Sequence, residues 1–261
     1  MSDESNVKSA VRVLDITEEI CRYPSGLTFV EILEALDIPK SSLHGILKTM
    51  TTRGYLVVDP DTRAYRVGVR FWEAGRAFES GADLIRVYPG YLERARNELG
   101  RTVHLSILDG LENVYIAKME ANEKIALVSR VGGRLPAYST GLGKMLLATL
   151  DEDELSRRLR DAELQQFTER TITDKELLRA ELSSIRVRGY AVDQGEYMSG
   201  VHCVAVPVRN HTGDAIAAMS CSLISESVDQ EKESAVVSVL KACAAGLSEA
   251  LGYRGGDGGG M

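Results

Sequence analysis

The chain has 261 residues, of which 44% are hydrophobic and 26% are charged, a composition typical of a folded protein and not of a disordered one. At roughly 100–200 residues per domain, this length favours two domains. No apolar stretch reaches the roughly 18 residues of a membrane helix, and the first residues form no secretory signal, so neither a membrane span nor export is expected. Four widely spaced cysteines without a C-x-x-C motif favour a reducing cytoplasm as the location.

The charges are unevenly distributed along the chain. A net charge of −7 argues against general polyanion binding. Residues 40–70, however, contain six Lys or Arg residues and two Asp residues, a local net charge of +4. Such a segment is most often solvated surface, so the residue pattern around it must decide between that interpretation and nucleic-acid binding.

Three short helices are predicted at the start of the chain. A first amphipathic helix is expected over about 6–22, and a second begins at Thr28, which forms a Thr-x-x-Glu capping box with Glu31. A third helix follows a short turn and is ended by Gly54. Two helices joined in this way are typical of a helix-turn-helix. The apolar stripe of the third helix is Leu43, Ile46, Leu47 and Met50.

The face opposite this stripe carries small, hydroxyl-bearing and cationic side chains. Such a face can enter the major groove, where hydroxyls and helix amides bind phosphates and a cation binds phosphate or guanine. A β-hairpin predicted over about 55–67 adds a wing that offers two arginines to DNA. We therefore predict a winged helix-turn-helix that binds double-stranded DNA; a purely structural helical domain is the alternative. The predicted DNA-binding residues are Thr28, Ser41, Ser42, His44, Gly45, Lys48, Arg63 and Arg66.

Helical patterns recur in the rest of the chain. Pro89 is expected to kink or break one of these helices, and Gly100 is expected to end it. Capping pairs at Asp151 and at Thr173 predict the starts of two others. The predicted helical segments are about 71–81, 84–99, 140–148, one after Asp151, one from Thr173 to Gly189, and 229–251.

Strand patterns alternate with these helices. A meander is expected over about 102–109, 114–119 and 125–130, with a hairpin turn at Asp109-Gly110. Two longer strands are expected over about 201–208 and 215–224. Strands interleaved with helices in this way favour an α+β domain with a mainly antiparallel sheet.

Enzyme signatures are incomplete in this sequence. The Gly141–Lys144 segment lacks the Gly and Ser/Thr positions of a phosphate-binding loop, and neither G-x-S-x-G nor H-E-x-x-H occurs. His104, His202, Cys203 and Cys221 offer metal-ligand atoms. However, His202 and Cys203 are neighbours on a strand and point to opposite faces, so they do not easily bind one ion. We predict no catalytic residue, no cofactor and no resident metal.

A small-ligand pocket is the remaining interpretation of the second half. The helix start at Gly141-Leu142 follows two hydroxyl residues, and its accessible amides suit a carboxylate. Ser220 and Ser222 share one face of a strand, and Cys203 lies on the preceding strand. The alternative is that these small residues pack beneath a helix.

The order of these motifs resembles the IclR family of bacterial transcriptional regulators over about residues 7–251. The resemblance is carried by the winged helix and by the segments GRLPAYSTGLGKMLLA (133–148), RGYAVD (188–193) with Glu196, and GVHCVAVPV (200–208). One departure is Gly45, which stands where many members carry Arg.

The resemblance implies a dimer or a dimer of dimers on a palindromic operator, and a GAF-like domain that binds a small catabolic effector. Zinc is found in the pocket of some members. By resemblance, the effector pocket consists of Leu127, Leu135, Gly141, Leu142, Asp193, Val201, Cys203, Ser220 and Ser222.

The sequence therefore predicts an α+β protein that regulates transcription. We expect a repressor of a catabolic operon, controlled by a small organic acid; a metal sensor or a metabolic enzyme that uses the C-terminal pocket is the alternative. The predicted segments are a winged helix-turn-helix (1–69), a linker helix (70–82), a GAF-like effector-binding domain with an antiparallel sheet (83–252) and a disordered tail (253–261).

Overall fold

The computed structural model describes residues 7–81, 83–121, 129–225 and 228–254. The chain divides into two compact units, Met1–Ala82 and Asp83–Met261. Within the described ranges, no helix is both long enough and apolar enough to cross a membrane.

The first unit contains the predicted helices and hairpin of a winged helix-turn-helix. Thr28 and Glu31 form the predicted capping box at the start of the second helix. Leu43 and Leu47 of the third helix pack with Ile16 of the first in one apolar core. The elements are α1 (Lys8–Cys21), α2 (Phe29–Ala35), α3 (Lys40–Thr52), β1 (Leu56–Val58), β2 (Tyr65–Val67) and α4 (Val69–Gly81).

Two glycines of this unit are required by the backbone around them. Leu27 and Tyr65 exchange two backbone hydrogen bonds of 3.1 and 2.7 Å, which attach the hairpin to the helices. Gly26 has φ +83°, and a Cβ there would lie 2.6 Å from the Tyr65 carbonyl oxygen. A Cβ on Gly68 would lie 2.3 Å from the carbonyl oxygen of Gly54. Any side chain at these positions would force the hairpin away.

The second unit is a six-stranded sheet with helices on both faces. The strand order is β5-β4-β3-β8-β7-β6, and every neighbouring pair is antiparallel. The predicted α+β class with an antiparallel sheet is thus confirmed. The elements are α5 (Asp83–Leu99), β3 (Val103–Asp109), β4 (Glu112–Met119), β5 (Arg134–Pro136), a 3₁₀ turn (Ala137–Ser139), α6 (Gly141–Ala148), α7 (Glu152–Leu159), α8 (Lys175–Arg188), β6 (Ala191–Asp193), β7 (Val201–Arg209), β8 (Ala215–Ile224) and α9 (Gln230–Ala250).

Side chains along each strand alternate between the two faces of this sheet. Val204 and Val206 of β7 pack in the core that includes α5 and α9, whereas Ala205 packs in the core of α6, α7 and α8. β8 repeats the pattern, with Met219 facing α9 and Ala218 facing α6. Even-numbered residues of β8 therefore face α6.

Two helix predictions need correction. The N-cap of α8 is Asp174 and not Thr173, because the Asp174 Oδ1 accepts the N–H groups of Glu176 and Leu177, both at 2.9 Å. The predicted break at Pro89 is also wrong, since α5 continues through that residue. The loss of one N–H donor is tolerated there within a long helix. The helices predicted at Thr140, after Asp151 and over 229–251 are confirmed as α6, α7 and α9.

The strand predicted over 125–130 is also wrong in its described part. Ser129 and Arg130 are not in a strand, and residues 125–128 lie outside the described ranges. The strand that follows β4 in the chain and pairs with its outer edge is β5, and β6 was not expected. Both have three residues, too few for alternation to show. The predicted tail begins at Tyr253, whose backbone N–H donates to the Ser248 carbonyl at 2.9 Å. Residues 255–261 of the tail lie outside the described ranges.

Candidate nucleic-acid interface and ligand cavity

The exposed face of α3 is the candidate interface in the first unit. α3 buries Leu43, Leu47 and Met50 against the core. Because helical neighbours recur at i+3 and i+4, the side opposite these residues is turned to solvent. The exposed residues of α3 on this side are Ser41, His44, Gly45, Lys48, Thr49 and Thr52. Four predicted DNA-binding residues are therefore accessible together.

The hydroxyls of two other predicted DNA-binding residues are engaged within the unit. Ser42 is half-buried, and its Oγ accepts a hydrogen bond of 3.3 Å from the Arg12 guanidinium. The Thr28 hydroxyl donates to Glu31 Oε2 at 2.7 Å, and the same carboxylate accepts the Thr28 backbone N–H. A DNA contact through either hydroxyl stays a prediction.

Several cations around α3 have no acidic partner in the part of the chain that the structure describes. Within the described residues, Lys40, Lys48, Arg53 and Arg63 form no ion pair, although all four are exposed. Their charges are thus available to phosphates. The rings of His44 and Phe29 form a T-shaped pair, with centroids 6.4 Å apart.

The two predicted wing arginines differ in their surroundings. Asp59 Oδ1 accepts the N–H groups of Thr62 (3.0 Å) and Asp61 (3.1 Å), which organises the turn and holds the pKa of Asp59 below its usual value. Arg66 donates to Asp59 Oδ2 at 2.6 Å, so its charge is partly neutralised. Arg63 lies in the turn with φ +59°. Arg63 is therefore the more available cation of the wing.

A cavity between α6 and the sheet is the candidate site of the second unit. It encloses about 50 Å³, and about 500 Å³ when the open space at its mouth is included. Eight of the nine predicted effector residues line it, and the ninth, Leu127, lies outside the described ranges. The lining residues are His104, Tyr115, Ser129, Leu135, Thr140, Gly141, Leu142, Asp193, Tyr197, Met198, Val201, Cys203, Ser220 and Ser222.

The N-terminus of α6 forms one wall of the cavity. Thr140 is the N-cap; its Oγ1 accepts the Gly143 N–H at 3.0 Å and donates to Asn113 Oδ1 at 2.8 Å. No hydrogen bond within the described residues uses the N–H groups of Gly141 or Leu142. Free amides at a helix N-terminus suit an anion. Gly143 has a different role, since its Cβ would lie 2.2 Å from Ala137 Cα.

Asp193 is the buried acidic group of the cavity. Its Oδ1 accepts the N–H groups of Gly195 at 3.0 Å and Glu196 at 2.7 Å, which fixes the loop after β6. Burial raises the pKa of Asp193 to about 7, despite these hydrogen bonds. The carboxyl group can therefore be neutral or charged near physiological pH.

Small polar side chains form the sheet side of the cavity. Ser220 and Ser222 lie on the α6 face of β8, as predicted. Cys203 of β7 is opposite Ser222, and its Sγ is 3.3 Å from the Ser222 Oγ. Burial raises the pKa of the Cys203 thiol, so it is neutral. These groups can exchange hydrogen bonds with a ligand oxygen.

The predicted set of effector residues does not include six residues that line the cavity: His104, Tyr115, Ser129, Thr140, Tyr197 and Met198. His104 is opposite Ser220 in the β3–β8 register, and its Nε2 is 2.8 Å from the Ser129 Oγ. Burial and the nearby Lys118 lower the pKa of His104 to about 3, so the ring is neutral. Alternation along β3 and β4 could have placed His104 and Tyr115 on this face, but the loop residues Ser129, Tyr197 and Met198 carry no such pattern.

A buried ion pair lies beside the cavity wall. Lys144 of α6 is 1% exposed, and its Nζ donates to Glu196 Oε1 at 2.5 Å. Glu196 Oε2 has no hydrogen-bond partner among the described residues, and burial raises the pKa of Glu196 despite Lys144. The pair connects α6 to the loop that Asp193 organises.

The structure divides the four possible metal ligands between the faces of the sheet. His104 and Cys203 line the cavity, whereas Cys221 lies in the core of α5 and α9. The His202 Nε2 lies 3.1 Å from Glu233 of α9. The described residues contain no group of three or more side chains arranged for a metal ion.

Comparisons with known proteins cover both units. The family model for the IclR helix-turn-helix domain matches residues 9–60, and the model for the bacterial transcriptional regulator IclR C-terminal domain matches 77–249. The transcriptional regulator XynR of Escherichia coli is 37% identical over 248 residues, which are 95% of this chain and 97% of that protein.

Two solved structures are similar over nearly the whole chain. The IclR of Thermotoga maritima has 33% identity and a TM-score of 0.78, over 95% of this chain and 100% of that one. An IclR homologue of Microbacterium hydrocarbonoxydans complexed with 4-hydroxybenzoate has 25% identity and a TM-score of 0.80, over 93% and 98% of the two chains.

Proposed function

The chain belongs to the IclR family of bacterial transcriptional regulators, and we propose that a small carboxylate bound in the cavity controls its affinity for a DNA operator. Members of this family are transcriptional regulators and not enzymes, and the chain is accordingly a DNA-binding transcriptional regulator. The resemblance favours repression of a catabolic operon, which the carboxylate would relieve.

In this proposal α3 enters the major groove and the hairpin contacts the backbone. Lys48, which is exposed and forms no ion pair within the described ranges, supplies a cation on α3, and Arg63 supplies one on the wing. Ser41 and His44 offer hydrogen-bonding groups to base edges or phosphates. Arg66 contributes less, because Asp59 already binds it.

The convergence of the predicted effector residues on one cavity carries the ligand part of the proposal. Gly141 and Leu142, whose amides no hydrogen bond among the described residues uses, line the same cavity as Ser220, Ser222 and Asp193. The amides favour a carboxylate, whereas an ionised Asp193 would repel one. A Cβ on Gly141 would lie 3.6 Å from the Asp193 Cβ, so Asp193 is beside the α6 amides and not at the far end of the cavity. The effector we propose therefore binds its carboxylate to these amides while Asp193 is protonated, and it also carries a hydrogen-bond donor.

The relative that was solved with 4-hydroxybenzoate fits this ligand class. That molecule has a carboxylate and a hydroxyl donor at opposite ends, and the protein that holds it has the same fold as this chain. We propose a small acid of this type, without assigning 4-hydroxybenzoate itself. Leu135 and Val201 would enclose its apolar part.

A thermal-shift screen of hydroxy-, keto- and aromatic acids tests the cavity. A ligand at 100 times its Kd should stabilise the fold by about 2.7 kcal/mol, which is measurable as a higher Tm. We expect Ser220→Ala/Ser222→Ala to reduce the shift. The matched control is Ser184→Ala/Ser234→Ala, which removes two exposed helix hydroxyls. A shift unchanged by the cavity variant would place the ligand elsewhere.

We also propose that the chain works as a dimer through the exposed apolar side of α1. A single winged helix contacts one half-site, so specific affinity normally needs two copies on a palindrome. Val7, Val11 and Leu14 are 68%, 37% and 60% exposed, and Val69 and Trp72 of α4 are also exposed. An apolar surface of this kind is typical of an interface.

Sedimentation of Leu14→Asp tests the assembly. We expect the variant to shift toward monomer at micromolar concentration and to lose specific DNA affinity. The control is Leu177→Asp, which alters an exposed leucine on α8. A parent chain that is monomeric and still binds its operator specifically would contradict the proposal.

A further inference from the structure

Gly45 stands in the interior of α3, where a glycine is unfavourable. Glycine gives up more backbone freedom on entering a helix than alanine does, so it lowers helix stability. α3 has 13 residues, and Gly45 is the sixth of them. Helix stability therefore does not explain why this position is a glycine.

No contact within the described part of the unit supplies that reason. A Cβ on Gly45 would meet no heavy atom within 4 Å, and the backbone of Gly45 is not in the left-handed region. Gly26 and Gly68 differ, because a Cβ there would lie 2.6 and 2.3 Å from backbone oxygens. The fold requires glycine at those two positions but not at Gly45.

Gly45 lies in a strip of small side chains along the exposed face of α3. Ser41 and Thr49 are one turn away on either side, and both are small. The Thr49 Oγ1 donates to the Gly45 carbonyl at 2.8 Å, which holds this side chain against the helix backbone. Lys48 and His44 flank the strip. A partner molecule that enters between these two side chains would therefore contact the backbone of α3 at Gly45.

We infer that α3 approaches DNA most closely at Gly45, and that the missing side chain at this position determines which base pairs the protein accepts. The inference rests on the proposed DNA binding by α3. A bare backbone leaves room for a projecting group of the major groove, such as a thymine methyl, directly against the helix. An arginine at the same position would fill that room and would bind guanine instead.

The experiment uses the full-length chain and a DNA duplex that the parent chain has selected from a random library. Gly45→Ala should raise the melting temperature of the free protein, yet weaken binding to the selected duplex about tenfold, the scale of one disrupted base contact. Gly90→Ala is the matched control. Gly90 is also exposed inside a helix with no atom within 4 Å of its Cβ, and its replacement should leave DNA affinity unchanged.

A second selection from the same library, with Gly45→Arg, tests the specificity directly. We expect guanine to be enriched at one position of each half-site relative to the parent selection. The inference is overturned if Gly45→Ala binds within about twofold of the parent, or if Gly45→Arg selects the parent site.

Lys48→Ala separates a failure of this inference from a failure of the proposed function. If the Gly45 variants behave like the parent while Lys48→Ala weakens binding, α3 binds DNA but Gly45 does not set its specificity. If Lys48→Ala also binds like the parent, DNA binding by α3 is itself wrong.

Discussion

The two candidate sites differ in whether their charged side chains are exposed or buried. On α3 and the wing, Lys48 and Arg63 are exposed and have no acidic partner among the described residues. In the second unit, Lys144 is buried against Glu196, and Asp193 is buried with a raised pKa. The first arrangement suits a polyanion that displaces small ions from the surface, and the second suits one small ligand that replaces water.

This difference determines what each site contributes to the fold. Exposed unpaired cations are solvated, so removing one changes binding and hardly changes stability. Buried charges are tolerated only when they are paired. Removing one partner leaves the other charge buried without compensation, which destabilises the fold. Variants of the two sites should therefore separate into binding defects and stability defects.

The largest expected effect is the loss of stability on replacing Lys144. Lys144→Ala leaves the Glu196 carboxylate buried without its cation, which should cost about 3–5 kcal/mol in the free energy of unfolding. Urea denaturation measures this loss. The double variant Lys144→Met/Glu196→Gln removes both charges and should recover most of it.

An exposed pair of the first unit provides the contrast. Glu73→Ala breaks the surface pair with Arg70 and should cost no more than about 1 kcal/mol. A loss for Lys144→Ala as small as that for Glu73→Ala would show that the buried pair has no special role.

The next largest effect is a binding defect at α3. Lys48→Ala should weaken operator binding by about 1–3 kcal/mol if its ammonium reaches a base edge, and should leave the melting temperature unchanged. Fluorescence anisotropy at several salt concentrations measures the affinity and its salt dependence. An unchanged salt dependence fits a base contact, whereas a smaller one identifies Lys48 as a phosphate contact. Lys175→Ala on α8 is the control. Equal binding by Lys48→Ala/Arg63→Ala and the parent would contradict the assignment.

The smallest effect is a dependence of effector binding on pH. The pKa of Asp193 is about 7 in the folded chain and about 3.9 in an unfolded one. The folded state therefore holds the proton more tightly, and this group's contribution to stability decreases as pH rises from about 4 to about 7.

A carboxylate ligand should respond to the same titration. Above pH 7 its affinity should fall by up to about tenfold per pH unit, because the ionised Asp193 repels it. Calorimetric titration between pH 6 and pH 8 measures the slope, and Asp193→Asn should flatten it. A slope that is the same in Asp193→Asn would mean that another group titrates.

The two sites also differ in how far the sequence predicts them. The face of α3 follows from the period of one helix, so the positions of Ser41, His44 and Lys48 could be read locally. The ion pair of Asp59 with Arg66 could not, because it depends on the shape of the hairpin turn. Local periodicity thus predicts exposure better than it predicts pairing.

The cavity depends on contacts between distant segments. Its predicted residues came mainly from resemblance, and strand alternation supported Ser220 and Ser222. His104 joins them through the β3–β8 register, which no single segment reveals. Lys144 and Glu196 are 52 residues apart, so their pairing follows from the packing of α6 against the loop after β6.

Operator affinity measured with and without the effector tests the central claim most directly. A fluorescent duplex selected by the parent chain is titrated at saturating concentrations of the acid that gives the largest thermal shift. We expect this acid to weaken operator binding by the parent chain, and we expect the effect to be lost in Ser220→Ala/Ser222→Ala while DNA affinity without ligand is retained. Operator affinity that is the same with and without the saturating acid would show that the cavity does not control DNA binding.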